Sequence, residues 1–459
     1  MPRSSPSRIR AVLSLIAFFA VIFVGIQFIG PKLTNPPVLA DFQAPPEVKQ
    51  ILVTSCYNCH SNETKLPWFD RIVPAYWLVV SDVTGGRARL NFSDFGSLPE
   101  EQQKGFLYES LNQMEFGVMP PAKYTLIHPG AKVTAAQIAT LRNYLQPTLV
   151  PADAAQLAAA DAQYQKWISS GPPVGPDANV EPVANGLEFF SDYKSWKPVS
   201  TTDRWDNHTL RVILGNEVAT RAIADGNIHP WPDGTAFAKI AWKAQADANG
   251  AVSAGEFIQV EFMFKDAQKY AKTDGWGFGR WRGVEHTPYG KDASFATECM
   301  NCHAPMRGND YVFTQPITTH ASASDYFNRT ATLSPDLPYQ PLAWWVIASS
   351  VDKAAATMST LYGNDIAVEH ARMSPQGAYP AGAILSLVTW RQQDDAHWFG
   401  ARIPGPAQSV EYVTALTPAG GQPSYAYDRY EGMPLKKVAA QEMQTRVQAI
   451  VSQRASVMP

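Results

Sequence analysis

Two short stretches constrain this 459-residue chain more than any other: CYNCH at Cys56–His60 and CMNCH at Cys299–His303. Each is a CxxCH motif, the attachment signature of a c-type haem. Cys56 and Cys59, and again Cys299 and Cys302, are placed to form thioethers to the haem vinyls. His60 and His303 are placed to ligate the iron. The chain has four cysteines, all inside these motifs, so none is left for a structural disulfide. A zinc reading fails on spacing, because the two CxxC pairs lie far apart and each has its own adjacent His. The expected cofactors are two covalently bound haem c groups.

Covalent haem implies export, and the N-terminus agrees. Arg3, Arg8 and Arg10 precede an uncharged apolar run from Ala11 to Ile29. That length suits a membrane span, and a basic flank keeps the N-terminus cytoplasmic. The expectation is an uncleaved, single-pass anchor over 1–30 in the bacterial inner membrane, with the haem domains in the periplasm. A cleaved signal peptide is the alternative. Residues Pro31–Pro46 read as a short stalk. The net charge of −3 gives no nucleic-acid signature.

Residues 47–147 read as a small all-α, cytochrome c-like domain. CYNCH lies near its start, Met119 sits beside two prolines on a loop, and TAAQIATLRNYL closes it as a helix with a capping box at Thr134 and Gln137. Met119 is the favoured sixth ligand of the His60 iron; Met114 and His128 compete. Met/His ligation raises the reduction potential, which suits an electron acceptor. CYNCHSNETKLPWF, the Val73-Pro74-Ala75 turn, GGRARLNFSDF and MPPAKYTLIHPGAKVT resemble the "haem-binding domain" family of small exported cytochromes. That resemblance implies haem and little more.

Residues 148–187 read as a linker: one helix over Ala152–Ile168, then an extended tether. From 188 the pattern alternates, as in strands. TAFAKIAWKAQ, EFIQVEFMFKD and GWGFGRWRG precede CMNCH. A mainly β (α+β) domain over 188–335 that carries its haem motif at the C-terminal end is unusual. RVILGNEVA, WPDGTAFAKIAWK, VEFMFKD, DGWGFGRW and CMNCHAPMRGNDYVFT together resemble the cytochrome P-460 family. Members that oxidise hydroxylamine hold a five-coordinate haem cross-linked to a lysine. Relatives called cytochrome c-prime beta lack that lysine and bind gases such as nitric oxide.

By that resemblance the cross-linking lysine is Lys239. Lys243 shares its strand face but lies nearer the turn, where solvation is expected. Glu261 matches the acidic residue placed over the open haem face. Burial there is expected to raise its pKa toward a range useful for accepting protons. Arg280 is a candidate partner for that carboxylate or for a haem propionate. Met306 follows the motif too closely to reach the opposite haem face.

A shift of 148 residues reveals a second copy of this domain over 336–455. Trp196 meets Trp344, Gly215-Asn216 meets Gly363-Asn364, Gly234 meets Gly382, Trp242 meets Trp390 and Asp247 meets Asp395. The copy has no cysteine. Leu387 stands at the Lys239 position, QEMQTR at the CMNCH position, and Glu411 at the Glu261 position. Glu261 is therefore expected to be partly structural. The two copies suggest an intrachain pseudo-dimer.

These features point to a membrane-anchored dihaem cytochrome of the hydroxylamine-oxidising kind. Its substrate would be a small nitrogen compound and its partner a periplasmic electron acceptor. The rivals are a nitric-oxide-binding or sensing protein, a pure electron carrier with both haems six-coordinate, and a peroxide-reducing enzyme.

Overall fold

The computed structural model describes residues 6–146, 150–169, 180–319, 324–419, 422–439 and 442–459. The chain divides into two compact units, Met1–Gln146 and Pro147–Pro459.

The first unit is helical: α1 (Pro6–Ile26), α2 (Pro46–Ser55), α3 (Tyr57–His60), α4 (Ala75–Arg89), α5 (Glu100–Glu115), α6 (Ala122–Ile127) and α7 (Ala135–Tyr144). α7 begins with the expected capping box. The Thr134 hydroxyl accepts from the Gln137 amide at 3.3 Å, and the Gln137 side chain accepts from the Thr134 amide at 2.9 Å. The core gathers Leu52, Tyr57, Phe92, Phe95, Leu111 and Leu141. The Tyr57 and Phe92 rings stack at 5.0 Å. Residues Pro31–Pro46 are not a free stalk. The Leu39 and Ala40 amides both donate to the Ser93 carbonyl, and Phe42 is buried.

The expected membrane span does not extend over Ala11–Ile29. The helix ends at Ile26. The Gln27 side chain is taken up by Val73, accepting from its amide at 2.9 Å and donating to its carbonyl at 3.2 Å. Trp77 holds the Ile29 carbonyl at 3.0 Å. From Ala11 the helix rises about 24 Å at ~1.5 Å per residue, against a hydrocarbon core of about 30 Å. Among the described residues no helix is long and apolar enough to cross a membrane. The apolar side chains of α1, among them Phe18, Val21 and Val24, are exposed.

The second unit opens with α8 (Ala154–Ser169), the helix expected over Ala152–Ile168, which packs on the folded body; most of the expected tether after it lies outside the described residues. Gln163 brackets the Phe257 backbone, accepting from its amide at 2.6 Å, and Tyr164 is buried. Then come β1 (Lys197–Arg204), β2 (Thr209–Gly215), α9 (Glu217–Asp225), β3 (Ala236–Ala246), β4 (Ala251–Lys265), β5 (Trp276–Arg282), β6 (Thr287–Pro288) and α10 (Phe295–His303). The same order follows again: β7 (Trp345–Asp352), β8 (Thr357–Gly363), α11 (Asp365–Met373), β9 (Ile384–Asp394), β10 (Ala401–Ala419), β11 (Gln422–Glu431), β12 (Lys436–Val438) and α12 (Met443–Val451).

Local chemistry repeats with the elements. Asn216 caps α9 by accepting from the Ala219 amide at 2.9 Å, and its side chain donates to the Gly234 carbonyl at 2.8 Å. Asn364 does the same for α11, at 3.0 Å to Ala367 and 2.9 Å to Gly382. Gly234 and Gly382 both sit at φ +88°, a backbone region that favours glycine.

The two repeats share one barrel. The strands run β1-β2-β3-β4-β7-β8-β9-β10, and β10 pairs back onto β1 at Asp203↔Arg402. All these pairings are antiparallel. At the seam Thr201 and Ser349, equivalent residues of the two repeats, share a hydrogen bond of 3.1 Å. Leu210, Ile240, Trp242, Val260, Val388, Trp390 and Val410 from both repeats form one buried cluster inside the barrel. Each repeat keeps a second cluster on its outer face, and these two outer faces differ in their chemistry.

Candidate haem sites

The outer face of the first repeat is built by register. Ile213 faces Lys239, Lys239 faces Glu261, and Glu261 faces Arg280. Side chains directly opposite across antiparallel strands lie on the same side of the sheet, so these four form one row. Lys239 Nζ is ion-paired with Glu261 Oε2, and Arg280 Nε donates to Glu261 Oε1 at 3.0 Å. Gln259, two residues along the same face, also donates to Oε1. Arg280 therefore pairs with the carboxylate. Lys243 is exposed and pairs with Glu256, as expected of the lysine nearer the turn.

The Glu261 pKa runs opposite to the expectation. Burial alone would raise it, but Lys239, Arg280 and Arg211 together hold it well below the usual carboxylate range. Three cations around one anion outweigh its loss of hydration. Burial lowers the Lys239 pKa against the opposing pull of Glu261. Arg211, which sequence reasoning missed, is pushed down to about 9 by burial. Strand alternation in TLRVILG could have placed it on the Ile213 face.

Helix α10 lies against this face. Phe278, in the next row of β5, packs on the His303 ring at 5.2 Å. The charges of Lys239 and Glu261 act on His303, and those of Arg280, Glu261 and Lys239 act on the Cys299 thiol. His303 Nδ1 donates to the Tyr311 carbonyl at 2.7 Å, which leaves Nε2 free to ligate. Burial pushes the His303 pKa down to about 4, so the imidazole is neutral, as a metal ligand must be. The carbonyl that orients it sits in a left-handed turn, with Asp310 at φ +45° and Tyr311 at φ +66°. A buried ion pair holds that turn: Lys265 Nζ reaches Asp310 Oδ1 at 2.8 Å, and the Trp231 amide donates to Oδ2 at 2.9 Å. Neither Lys265 nor Asp310 was legible as a site residue. Met306 is buried, and nothing in the structure gives it a ligand's role.

In the first unit α3 carries Cys59 and His60. His60 Nδ1 donates to the Leu90 carbonyl at 3.1 Å, again leaving Nε2 for iron. Burial pushes the thiols up, to about 12 at Cys56 and about 11 at Cys59. Gly86 of α4 lies so close to the motif that a Cβ there would sit 2.7 Å from the Cys59 carbonyl. This explains a glycine in GGRARLNF. Among the sixth-ligand candidates, Met114 is buried and Met119 is 39% exposed on its loop. His128 Nε2 is engaged with Asp70 at 3.0 Å.

Both motifs thus present two thiols and a neutral imidazole with its second nitrogen already bonded, the donor set that c-type haem requires. Among the described residues no group of three or more His, Cys, Asp and Glu converges as a separate metal site.

The second repeat is the built-in contrast. Glu411 faces Leu387 where Glu261 faces Lys239. Its carboxylate is 1% exposed and accepts from Arg446 at 2.5 and 2.9 Å and from Tyr427 at 2.5 Å. Helix α12 follows β12 as α10 follows β6, and Met443–Val451 lies 148 residues after Phe295–His303 at both ends, so the counterpart of CMNCH is Val447–Val451 and not the expected QEMQTR. Val447 and Ile450 of α12 pack directly on the outer face with Leu361, Leu385 and Leu387. A cavity of about 840 Å³ between α11, β11 and α12, lined by Tyr379, Tyr425 and Gln448, adjoins neither cysteine pair.

A helical unit with one CxxCH and a barrel with another define a haem cytochrome. Residues 21–147 match the family model of the haem-binding domain, and residues 190–314 match that of cytochrome P460. The chain therefore joins a haem-binding domain to a cytochrome P460 domain. The cysteine-free repeat lies outside both matched segments. No curated protein matches the chain.

Proposed function

We propose that this protein is a periplasmic dihaem c-type cytochrome that oxidises hydroxylamine or a similar small nitrogen compound. One haem is held by Cys299, Cys302 and His303, the other by Cys56, Cys59, His60 and Met119. Haem at His303 would supply an open coordination position and accept electrons. Haem at His60 would supply a second redox centre, from which a periplasmic acceptor could take electrons. Covalent haem attachment supports export, and the exposed apolar side chains of α1 support a location at the inner membrane.

The observation that carries this reading is the row Lys239–Glu261–Arg280 beside His303, with Leu387 replacing the lysine in the repeat that lacks cysteines. Lys239 is the cross-linking residue. Joined to an unsaturated ring carbon of the haem, its nitrogen would share its lone pair with the ring and would be too weak a base to carry the ammonium charge. Glu261 then loses one of its three cations and its proton affinity rises. A substrate such as hydroxylamine must shed protons as it loses electrons, and Glu261 is the group placed to accept them. Arg280 and Gln259 keep the carboxylate oriented.

The absorption spectrum of the reduced protein and mass spectrometry of the haem peptide test the reading. A band displaced from that of ordinary haem c, a Lys239 adduct and hydroxylamine turnover are expected. An ordinary spectrum with no adduct and no turnover would instead fit a nitric-oxide-binding protein, a reading favoured by the lysine being ion-paired with Glu261.

A further inference from the structure

We infer that the cysteine-free repeat completes the His303 site: the turn between β9 and β10 supplies His397 and Trp398 as positioning residues for His303. This rests on His303 holding haem and not on any particular substrate.

The two repeats differ at this turn. The first joins β3 to β4 with Asp247-Ala248-Asn249-Gly250, and the second joins β9 to β10 with Asp395-Ala396-His397-Trp398-Phe399-Gly400. Three residues stand in place of Asn249. The first turn packs against Lys353 and Ala354 of the other repeat. The second reaches the haem segment of the first repeat. His397 Nδ1 donates to the Phe313 carbonyl at 2.7 Å, and the Trp398 ring meets the Phe313 ring edge to face at 5.7 Å. Phe313 in turn packs edge to face on the His303 ring at 5.0 Å. The His303 imidazole is thus flanked by Phe278 on one strand and by Phe313, which the other repeat holds.

The far side of Trp398 is also fixed. Its indole N–H donates to Asp206 Oδ2 at 2.9 Å, and the Arg204 guanidinium lies 4.5 Å over the ring. Arg204 and Asp206 are joined by two hydrogen bonds, of 2.8 and 2.5 Å. The Asp206 amide donates to the Gly400 carbonyl at 3.1 Å, and a Cβ on Gly400 would sit 2.5 Å from the Asp206 Cβ. A turn serving only to link two strands needs none of this. Groups behind a metal-bound histidine fix its orientation and tune the metal.

The test uses the full haem-loaded chain, in which the His60 haem is an internal control. Trp398→Ala and His397→Ala should each shift the reduction equilibrium of the His303 haem by about tenfold, the lower end of outer-shell effects. The ferric EPR signal of that haem should change, and the His60 haem should not respond. Trp398→Phe and His397→Gln, which keep the ring contact and a donor respectively, should recover most of the shift. Unchanged potential and EPR signal in both alanine variants overturn the inference, whether or not the protein oxidises hydroxylamine. If Trp398→Ala does not fold, equal potentials in His397→Ala and His397→Gln overturn it.

Discussion

Leu387 faces Glu411 at the register position where Lys239 faces Glu261. The same carboxylate thus serves two different structures. Beside Lys239 it belongs to a polar row under His303. Beside Leu387 it is sealed beneath α12 by Arg446 and Tyr427. Glu261→Gln keeps the shape of the row and removes the carboxylate proposed to accept protons. Turnover of hydroxylamine should fall by roughly 10²–10⁴-fold, with both haems still attached. Steady-state kinetics beside a haem-peptide mass measurement check this.

Lys239→Leu copies the second repeat's solution into the first. The expected protein retains thioethers at Cys299 and Cys302, shows the reduced spectrum of ordinary haem c and has no lysine adduct. Retention of the displaced band would show that another residue makes the bond, with Lys243 on the same strand the next to examine.

Arg446→Ala strips the buried Glu411 carboxylate of its main partner. Unfolding free energy should drop by about 1–3 kcal/mol without any change in the reduced spectrum. The pH dependence has a definite sign. Burial favours protonation of Glu411, but Arg446, Tyr427 and Arg429 prevail, so its folded pKa lies below the ordinary 4.5. The stability it contributes is present above pH 4.5 and is lost as pH falls through the lowered value. Denaturant melts across that range should show a shallower acid decline in Arg446→Ala than in the parent.

Asp310→Ala leaves the Lys265 ammonium buried and unpaired and frees the turn that offers the Tyr311 carbonyl to His303. A loss of about 3–5 kcal/mol is expected, as for other buried pairs broken on one side. The double change Lys265→Met, Asp310→Asn, which keeps an acceptor for the Trp231 amide and tolerates the left-handed turn, should regain a large part of it. Chemical denaturation of all three proteins decides.

Gly86→Ala drives a Cβ into the Cys59 carbonyl. Overpacking of this kind costs about 1–3 kcal/mol. It should lower haem incorporation at Cys56 and Cys59 and leave Cys299 and Cys302 unaffected, which mass spectrometry of the two haem peptides would separate.

Much of the site could be read directly from the chain. CxxCH specifies thiols and imidazole at fixed spacing, so Cys56, Cys59, His60, Cys299, Cys302 and His303 needed no fold. Strand alternation placed Lys239 with Lys243 and Glu261 with Gln259, because the side-chain period of two is local, but only the β3–β4 register sets Lys239 opposite Glu261. The repeat was legible because Gly-Asn, Pro and Trp recur at one spacing for local reasons, among them the Asn216 and Asn364 caps and the positive φ of Gly234 and Gly382.

Whatever depends on distant segments meeting had to come from the tertiary structure. The depression of the Glu261 pKa arises because β2, β3 and β5 bring Arg211, Lys239 and Arg280 to one carboxylate, and burial predicted from β4 alone has the opposite sign. The barrel closes through β1 pairing with β10, and the Lys265–Asp310 pair spans two elements. His397 and Trp398 reach Phe313 across the boundary between repeats. Composition and motif fix which groups are available; only the packing sets which charges and rings lie within a few ångströms of one another, and electrostatic and packing energies depend on those distances.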